Sequence, residues 1–330
     1  KEHDIDEKAF FSAIYEKELG ALASRPITLN MLIKEYINYG KISENIEEVY
    51  KNGCLYLLED TEDRKEAGFV ATLTQSQRLV IAERIAANII LCNYSNLYKG
   101  SIQNLTNVDL NVDQIDAGEE IIPKTGESIK VNKEAIDEVI HTSLFKPLGG
   151  ERFSVTHQTF AEYLAAKYLL RNQLQMPQLV NILLQEDGLS SGVIPQLKEV
   201  AMWVASMHDE FFKKLIAVDP FILLKSSICV KDSGKLKALL ESLIKKVSER
   251  SGYPEYRRHS KFYDDLAFEG IHELLSTELK NPDHDDYTKL FILDIINAIG
   301  IEEMADELLD IVLDKESGLR LKKYALNILF

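Results

Sequence analysis

The chain has 330 residues, 45% of them hydrophobic, and a formal net charge of -15. That is enough apolar material for a buried core in two or three subdomains. The negative field repels phosphate backbones and anionic lipid, which argues against a broad nucleic-acid surface and against a membrane partner.

Cys54, Cys92 and Cys229 are far apart and form no CxxC pair. That usage predicts reduced core thiols in a cytoplasmic protein. No apolar run approaches the roughly 20 residues a membrane-crossing helix needs, and no leader pattern stands at the front. The chain opens on Lys1 and ends on Phe330 inside an apolar helical pattern, so the expectation is a piece of something longer.

In chain order, Ile5, Phe10, Ile14 and Leu19 give a first helical stripe. Pro26 suits the first turn of the next helix, where its missing N–H is not needed. Leu29, Leu32, Ile33 and Tyr36 then mark one buried face, and Gly40 is the stop. A helix is predicted from Ser43, with Val49, Tyr50, Leu57 and Leu58 inward. After a charged break at 59–66, the run from Leu79 to Ile90 predicts a broad apolar helix over 76–94.

Residues 99–130 lose the period and predict an irregular connection with short extended pieces. Asn132 caps a short helix carrying Ile136, Val139 and Ile140. Two extended runs, 144–148 and 152–156, flank Gly149-Gly150 and predict a hairpin that leads into a helix over 159–170. Helix, hairpin, helix is the order of a winged-helix domain.

Beyond Pro177 the pattern is helical to the end, over about 177–185, 195–206, 208–217, 219–229, 234–250, 259–278, 286–299, 301–314 and 318–330. Short amphipathic helices with turns at Gly300 and Gly318 predict stacked antiparallel hairpins, a HEAT-like α-solenoid. The expected fold is therefore mostly α: a helical lid domain over 1–95, a winged-helix domain over 96–176, and helical repeats over 177–330.

The run Arg152-Phe153-Ser154-Val155-Thr156-His157-Gln158-Thr159-Phe160-Ala161-Glu162-Tyr163-Leu164-Ala165-Ala166 resembles the winged-helix segment of NACHT proteins, which reads H-x-[ST]-F-x-E-[YF]-x-A-A. Residues 23–29, with Pro26, are similar to the segment that opens the family's helical lid. Residues 40–50, ending in Tyr50, are similar to the stretch that follows. Residues 199–220, with Trp203, look like the linker to C-terminal repeats in bacterial members. Ser24 departs from the family, where many relatives carry Gly.

The resemblance implies a STAND-class P-loop ATPase, held closed by ADP and opened by ATP and a trigger. It implies that His157 approaches the β-phosphate and that Pro26 lines the adenine site. It also implies an upstream P-loop domain, Mg with the nucleotide in the parent, a protein trigger at the repeats, and a role in antiviral defence. No G-x-x-x-x-G-K-[ST] is present, so this stretch alone is expected to bind no nucleotide and to hydrolyse none. The alternative is a non-enzymatic helical-repeat scaffold.

Other features have plainer readings. Glu162 is expected in the first turn of its helix, where the dipole favours a carboxylate. Phe160, Tyr163, Leu164 and Tyr168 read as core, and Trp203 as an anchor between winged helix and repeats. Arg25, beside Pro26, has two readings, a phosphate contact and a surface ion pair, the second at least as favoured. Lys213-Lys214 and Arg257-Arg258 read as solvated faces. The run Asp283-His284-Asp285-Asp286 lacks metal-ligand spacing. The helix after His157 carries only Lys167 and Arg171 as cations, a poor composition for a DNA groove.

Overall fold

A computed structural model describes residues 6–17, 19–24, 26–43, 45–60, 64, 66, 68–123, 125–186, 191–225, 232–249, 263–300 and 302–330. The protein is mostly α-helical, with a few small sheets. It divides into two compact units, Lys1–Gln185 with Ile194–Met207, and Glu186–Val193 with His208–Phe330. No helix among the described residues is long and apolar enough to cross a membrane.

The first unit begins with α1 (Glu7–Glu16), capped by Asp6 and burying Phe10 and Ile14. A short turn α2 (Gly20–Ala23) leads to α3 (Pro26–Tyr39), which starts on Pro26 as expected. Gly40 closes α3 at φ +70°, a left-handed conformation that glycine adopts without strain. The buried face of α3 is rotated by one residue from the predicted one. Thr28, Met31, Leu32 and Glu35 are buried, while Leu29, Ile33 and Tyr36 are half-buried. Both sets have the same spacing along a helix, so period alone does not choose between them.

The next helix, α4 (Ile46–Leu57), starts later than predicted. Asn45 caps it by accepting the Glu47 N–H at 2.9 Å, while the Ser43 hydroxyl donates to Glu48 at 2.7 Å. Then comes α5 (Gln75–Leu91), fixed at its start by a reciprocal capping box between Thr74 and Gln77. Cys54 is buried in α4, but Cys92 just after α5 is exposed, against the core-thiol expectation; Cys229 lies outside the described residues.

Residues 96–130 hold four short strands: β1 (Asn96–Tyr98), β2 (Asp109–Asn111), β3 (Glu119–Ile121) and β4 (Ser128–Lys130). Asn132 caps α6 (Lys133–Ile140) by accepting the Ala135 N–H at 2.8 Å. The predicted hairpin follows as β5 (Phe145–Gly149) and β6 (Arg152–Val155). Its tip turns through three left-handed residues, Gly149, Gly150 and Glu151. β1 pairs antiparallel with β6 and parallel with β2, giving a four-stranded sheet in the order β2-β1-β6-β5.

The unit is completed by α7 (Gln158–Arg171), α8 (Met176–Leu183) and α9 (Lys198–Met207). α7 packs against both α5 and α9.

The second unit is built from α10 (Asp209–Val218), α11 (Ser233–Ser248), α12 (Ile271–Lys280), α13 (Asp286–Ile299), α14 (Ala305–Leu313) and α15 (Leu319–Leu329). α13 is central and packs against α11, α12 and α15. Phe291, Ile292, Leu293, Ile295 and Ile296 of α13 are all fully buried, at 0% exposure.

The single helix predicted over 259–278 is not continuous. Residues 259–262 lie outside the described residues, a 3-10 turn occupies Asp264–Leu266, and Gly270 at φ +84° separates it from α12. The helix predicted over 219–229 is a 3-10 turn, Pro220–Lys225, and residues 226–231 lie outside the described residues.

Candidate functional site

The sequence-predicted site residues are His157 and Pro26. His157 stands where the hairpin meets α7. The base of the hairpin is closed by Thr156, whose N–H donates to Leu144 O and whose hydroxyl donates to Ser143 O, both at 2.8 Å. The chain leaves β6 extended, and His157 becomes the N-cap of α7.

Its Nδ1 accepts the Thr159 N–H at 3.3 Å and lies 2.8 Å from the Thr159 hydroxyl. A backbone N–H can only donate, so Nδ1 is the acceptor and the neutral ring carries its proton on Nε2. The ring is half-buried, edge-on to Phe160 at 6.3 Å between centroids.

An aromatic cluster supports this junction. The Tyr50 ring of α4 meets Phe160 at 5.3 Å, Tyr163 at 5.7 Å and Trp203 at 4.7 Å. Trp203 also meets Tyr163 at 5.0 Å. These contacts of Trp203 lie within the first unit and tie α9 to α4 and α7. Burial pushes the Tyr50 phenol up to about 12, with Thr159 pulling the other way.

Glu162 departs from its expected role. The helix starts at Gln158, so Glu162 is its fifth residue, past the first turn where the dipole helps. Burial pushes its carboxyl up to about 7, and the Glu199 charge on α9 adds to the rise. Gln158 opposes it by donating to Glu162 at 3.2 Å. Burial raises Glu199 as well, against the pull of Lys198.

Pro26 is exposed at the first position of α3; Arg25 lies outside the described residues. α3 packs on α4, and α4 carries Tyr50 to the His157 motif. Gly53 of α4 allows close packing there. A Cβ on it would come against the Met31 sulfur of α3 and lie 3.1 Å from the Phe160 ring of α7.

Several residues with structural weight were not anticipated. Arg171, at the end of α7, bonds Glu83 of α5 at 2.6 Å and Glu120 of β3 at 2.7 Å. Arg84 bonds the other oxygen of Glu120 at 3.0 Å. Arg78 reaches Glu138 of α6, Asp60 and Leu58 O, while Thr72 and Leu73 also donate to Glu138. Burial alone would raise the Glu138 carboxyl, but these donors hold it below its ordinary range. On the sheet, Arg152 pairs with Asp109 at 2.8 Å.

One signal was available in the sequence. Arg78 and Glu83 sit in a helix that buries nearly its whole circumference, so a charge there must find a partner. Lys167 bonds Glu47 at 3.0 Å. Both cations of α7 thus form ion pairs within the fold.

A cavity of about 800 Å³ lies along α6, with Val112, Ile136 and Ile140 among its apolar lining. The pairs Lys99–Asp137 and Lys133–Asp113 stand at its edge, and neither His157 nor Pro26 lines it. Within 283–286, His284 pairs with Glu278 at 2.6 Å and Asp285 caps α13. Among the described residues no group of three or more His, Cys, Asp or Glu side chains is placed to hold a metal ion. No protein-family model matches the chain, and neither does any curated protein or solved structure.

Proposed function

We propose that the chain is the regulatory and sensor portion of a NACHT-type STAND ATPase. In this reading α6, the β5–β6 hairpin and α7 form the winged helix, and His157 senses the nucleotide held by an upstream P-loop domain. The observation that supports it is the His157 junction. A half-exposed imidazole is fixed by Thr159 with its proton on Nε2, at the start of a helix whose first amides also favour an anion.

The residues present fit one phosphate contact rather than a whole nucleotide site. Lys167 and Arg171 are engaged elsewhere, and Glu162 offers no donor in its ionised form. ADP with Mg, when bound in the parent, supplies the negative charge that this contact reads; the remaining phosphate and metal ligands come from outside this chain. Pro26, exposed at the start of α3, offers an apolar face to a base.

Within the chain, Thr159 orients the ring and Tyr50 links the junction to α4 and so to α3. A contact that differs between two nucleotide states is enough to bias a two-state switch. The second unit, read as a HEAT-like arm, contacts a protein trigger or holds the closed state.

The test is ADP titration of the intact parent carrying His157→Ala. Losing one charge-assisted hydrogen bond of about 1.5 kcal/mol weakens ADP roughly tenfold and raises basal signalling. Equal affinity and equal basal signalling in the two proteins would sink the reading. The second reading, a helical scaffold, is favoured by the exposed Leu309, Leu313, Leu319 and Leu326 of α14 and α15. It predicts the same partner binding with and without nucleotide.

A further inference from the structure

The rotated face of α3 buries a carboxyl. Glu35 is 5% exposed and stands at a position of the helix that a hydrophobic residue would ordinarily fill. Its Oε1 accepts the Ser43 N–H at 3.2 Å. Its Oε2 is buried and makes no hydrogen bond of ordinary length among the described residues, with Asn52 of α4 the side-chain donor beside the carboxyl. A carboxylate so placed is disfavoured unless a donor or a positive charge joins it.

Glu35 also lines a pocket of about 270 Å³ at α3 and α4, together with Met31, Lys34, Tyr39, Tyr56 and Glu59. The wall already attracts cations: the Lys34 ammonium sits 4.4 Å from the centre of the Tyr56 ring. Lys34 is exposed, and its long stem lets the ammonium move to solvent.

We infer that this pocket is a binding site for a small organic cation, a primary amine whose ammonium pairs with Glu35 and lies against Tyr56. The volume is just below the roughly 300–1,000 Å³ of drug-sized sites, too small for a nucleotide or a folded peptide. Glu35 and Glu59 together outweigh Lys34, so the ionised pocket favours a cation. A hard divalent ion would need six or more oxygen ligands, which these side chains do not supply. The inference is independent of the nucleotide-sensing reading and survives its failure.

The charged and polar groups facing Glu35 are Glu48 and Asn52 from α4, Lys17 after α1, and Ser43. Burial raises the Glu35 carboxyl; Ser43, Asn52 and Lys17 pull it down, and Glu48 adds to the rise. Amine binding needs the ionised form and therefore strengthens as pH rises above the ordinary carboxylate range.

The test is calorimetric titration of the 330-residue chain with 1,4-diaminobutane and with 1,4-butanediol, which has the same carbon skeleton and no charge. The expected result is saturable diamine binding that tightens from about pH 5 to 8, with no diol binding. Glu35→Gln, which keeps an acceptor for Ser43, should weaken the diamine at least tenfold, and Tyr56→Leu several-fold. Should Glu35→Gln not fold, Tyr56→Leu and the diol comparison on the unaltered chain still decide. Equal binding of diol and diamine, unchanged affinity in the variants, or no saturable diamine binding would overturn the inference.

Discussion

Arg171 and Lys280 occupy matching positions in the two units: each is a cation at the last residue of a helix, where the dipole favours positive charge. Their surroundings differ. The Arg171 side chain is 8% exposed and is held between Glu83 and Glu120. The Lys280 side chain is 61% exposed and bonds Glu307 at 3.1 Å from the surface.

The contrast extends to the units as wholes. Among the described residues, the buried charged side chains Glu35, Arg78, Glu83, Asp109, Glu120 and Glu138 all belong to the first unit. In the second unit, the buried polar side chain is Thr288, which bonds the cap residue Asp285. One unit joins its elements by directional polar locks. The other packs mainly through aliphatic faces, and its polar links between helices, such as Tyr324 to Asp294 and Ser276 to Glu307, are only part-buried.

The largest effect that separates these modes is expected at Arg171. Arg171→Ala leaves Glu83 buried without its partner, and Glu120 held by Arg84 alone, and should cost about 3 kcal/mol in chemical denaturation of the first unit. A loss under about 1 kcal/mol would mean that solvent reaches the pair freely.

A smaller, pH-dependent effect is expected at Glu162. A carboxyl raised in the fold keeps its proton there longer than in the unfolded chain. Its stabilising share is full below the ordinary carboxylate range and is lost as pH climbs through about 7. Glu162→Gln should therefore stabilise the protein by about 1–2 kcal/mol at pH 8, after allowance for its partial exposure, and change little near pH 4. Denaturation midpoints across that range would show a flatter profile for the variant; parallel profiles would refute the assignment.

The smallest effect belongs to Lys280. Lys280→Ala should cost at most about 1 kcal/mol, and 1 M salt should erase the difference from the unaltered protein. A salt-resistant loss would place that pair in the same class as Arg171.

Much of the local structure was legible in the sequence because its causes are local. Asn132 caps α6, Gly40 ends α3, Pro26 begins it, and Gly149-Gly150 turns the hairpin. Each follows from what one residue type does to its own backbone. The pairing of β1 with β2 and β6 was not legible. It joins short segments far apart in the chain, and a three-residue strand has too few side chains to show an alternation.

At the candidate site, the strand-to-helix junction and the aromatic core were visible in one run of sequence, whereas the cap that His157 makes on α7 was not. Tyr50 appeared as an apolar position on another helix and as the end of the 40–50 stretch, with nothing to place it beside that run. Its contacts with Phe160, Tyr163 and Trp203 needed the fold. In the sequence Arg171 is only one of two cations on its helix; its partners, Glu83 and Glu120, are supplied by distant segments.

The placement of the Tyr50 ring bears on how α4 moves. One side chain is shared by two neighbouring helices, and three rings clasp it at once. A slide of α4 disturbs all three ring contacts at once, so displacement of this helix by itself is opposed. The helix either travels with α7 and α9 as one piece or lets go entirely, which gives the junction the behaviour of a catch rather than a spring.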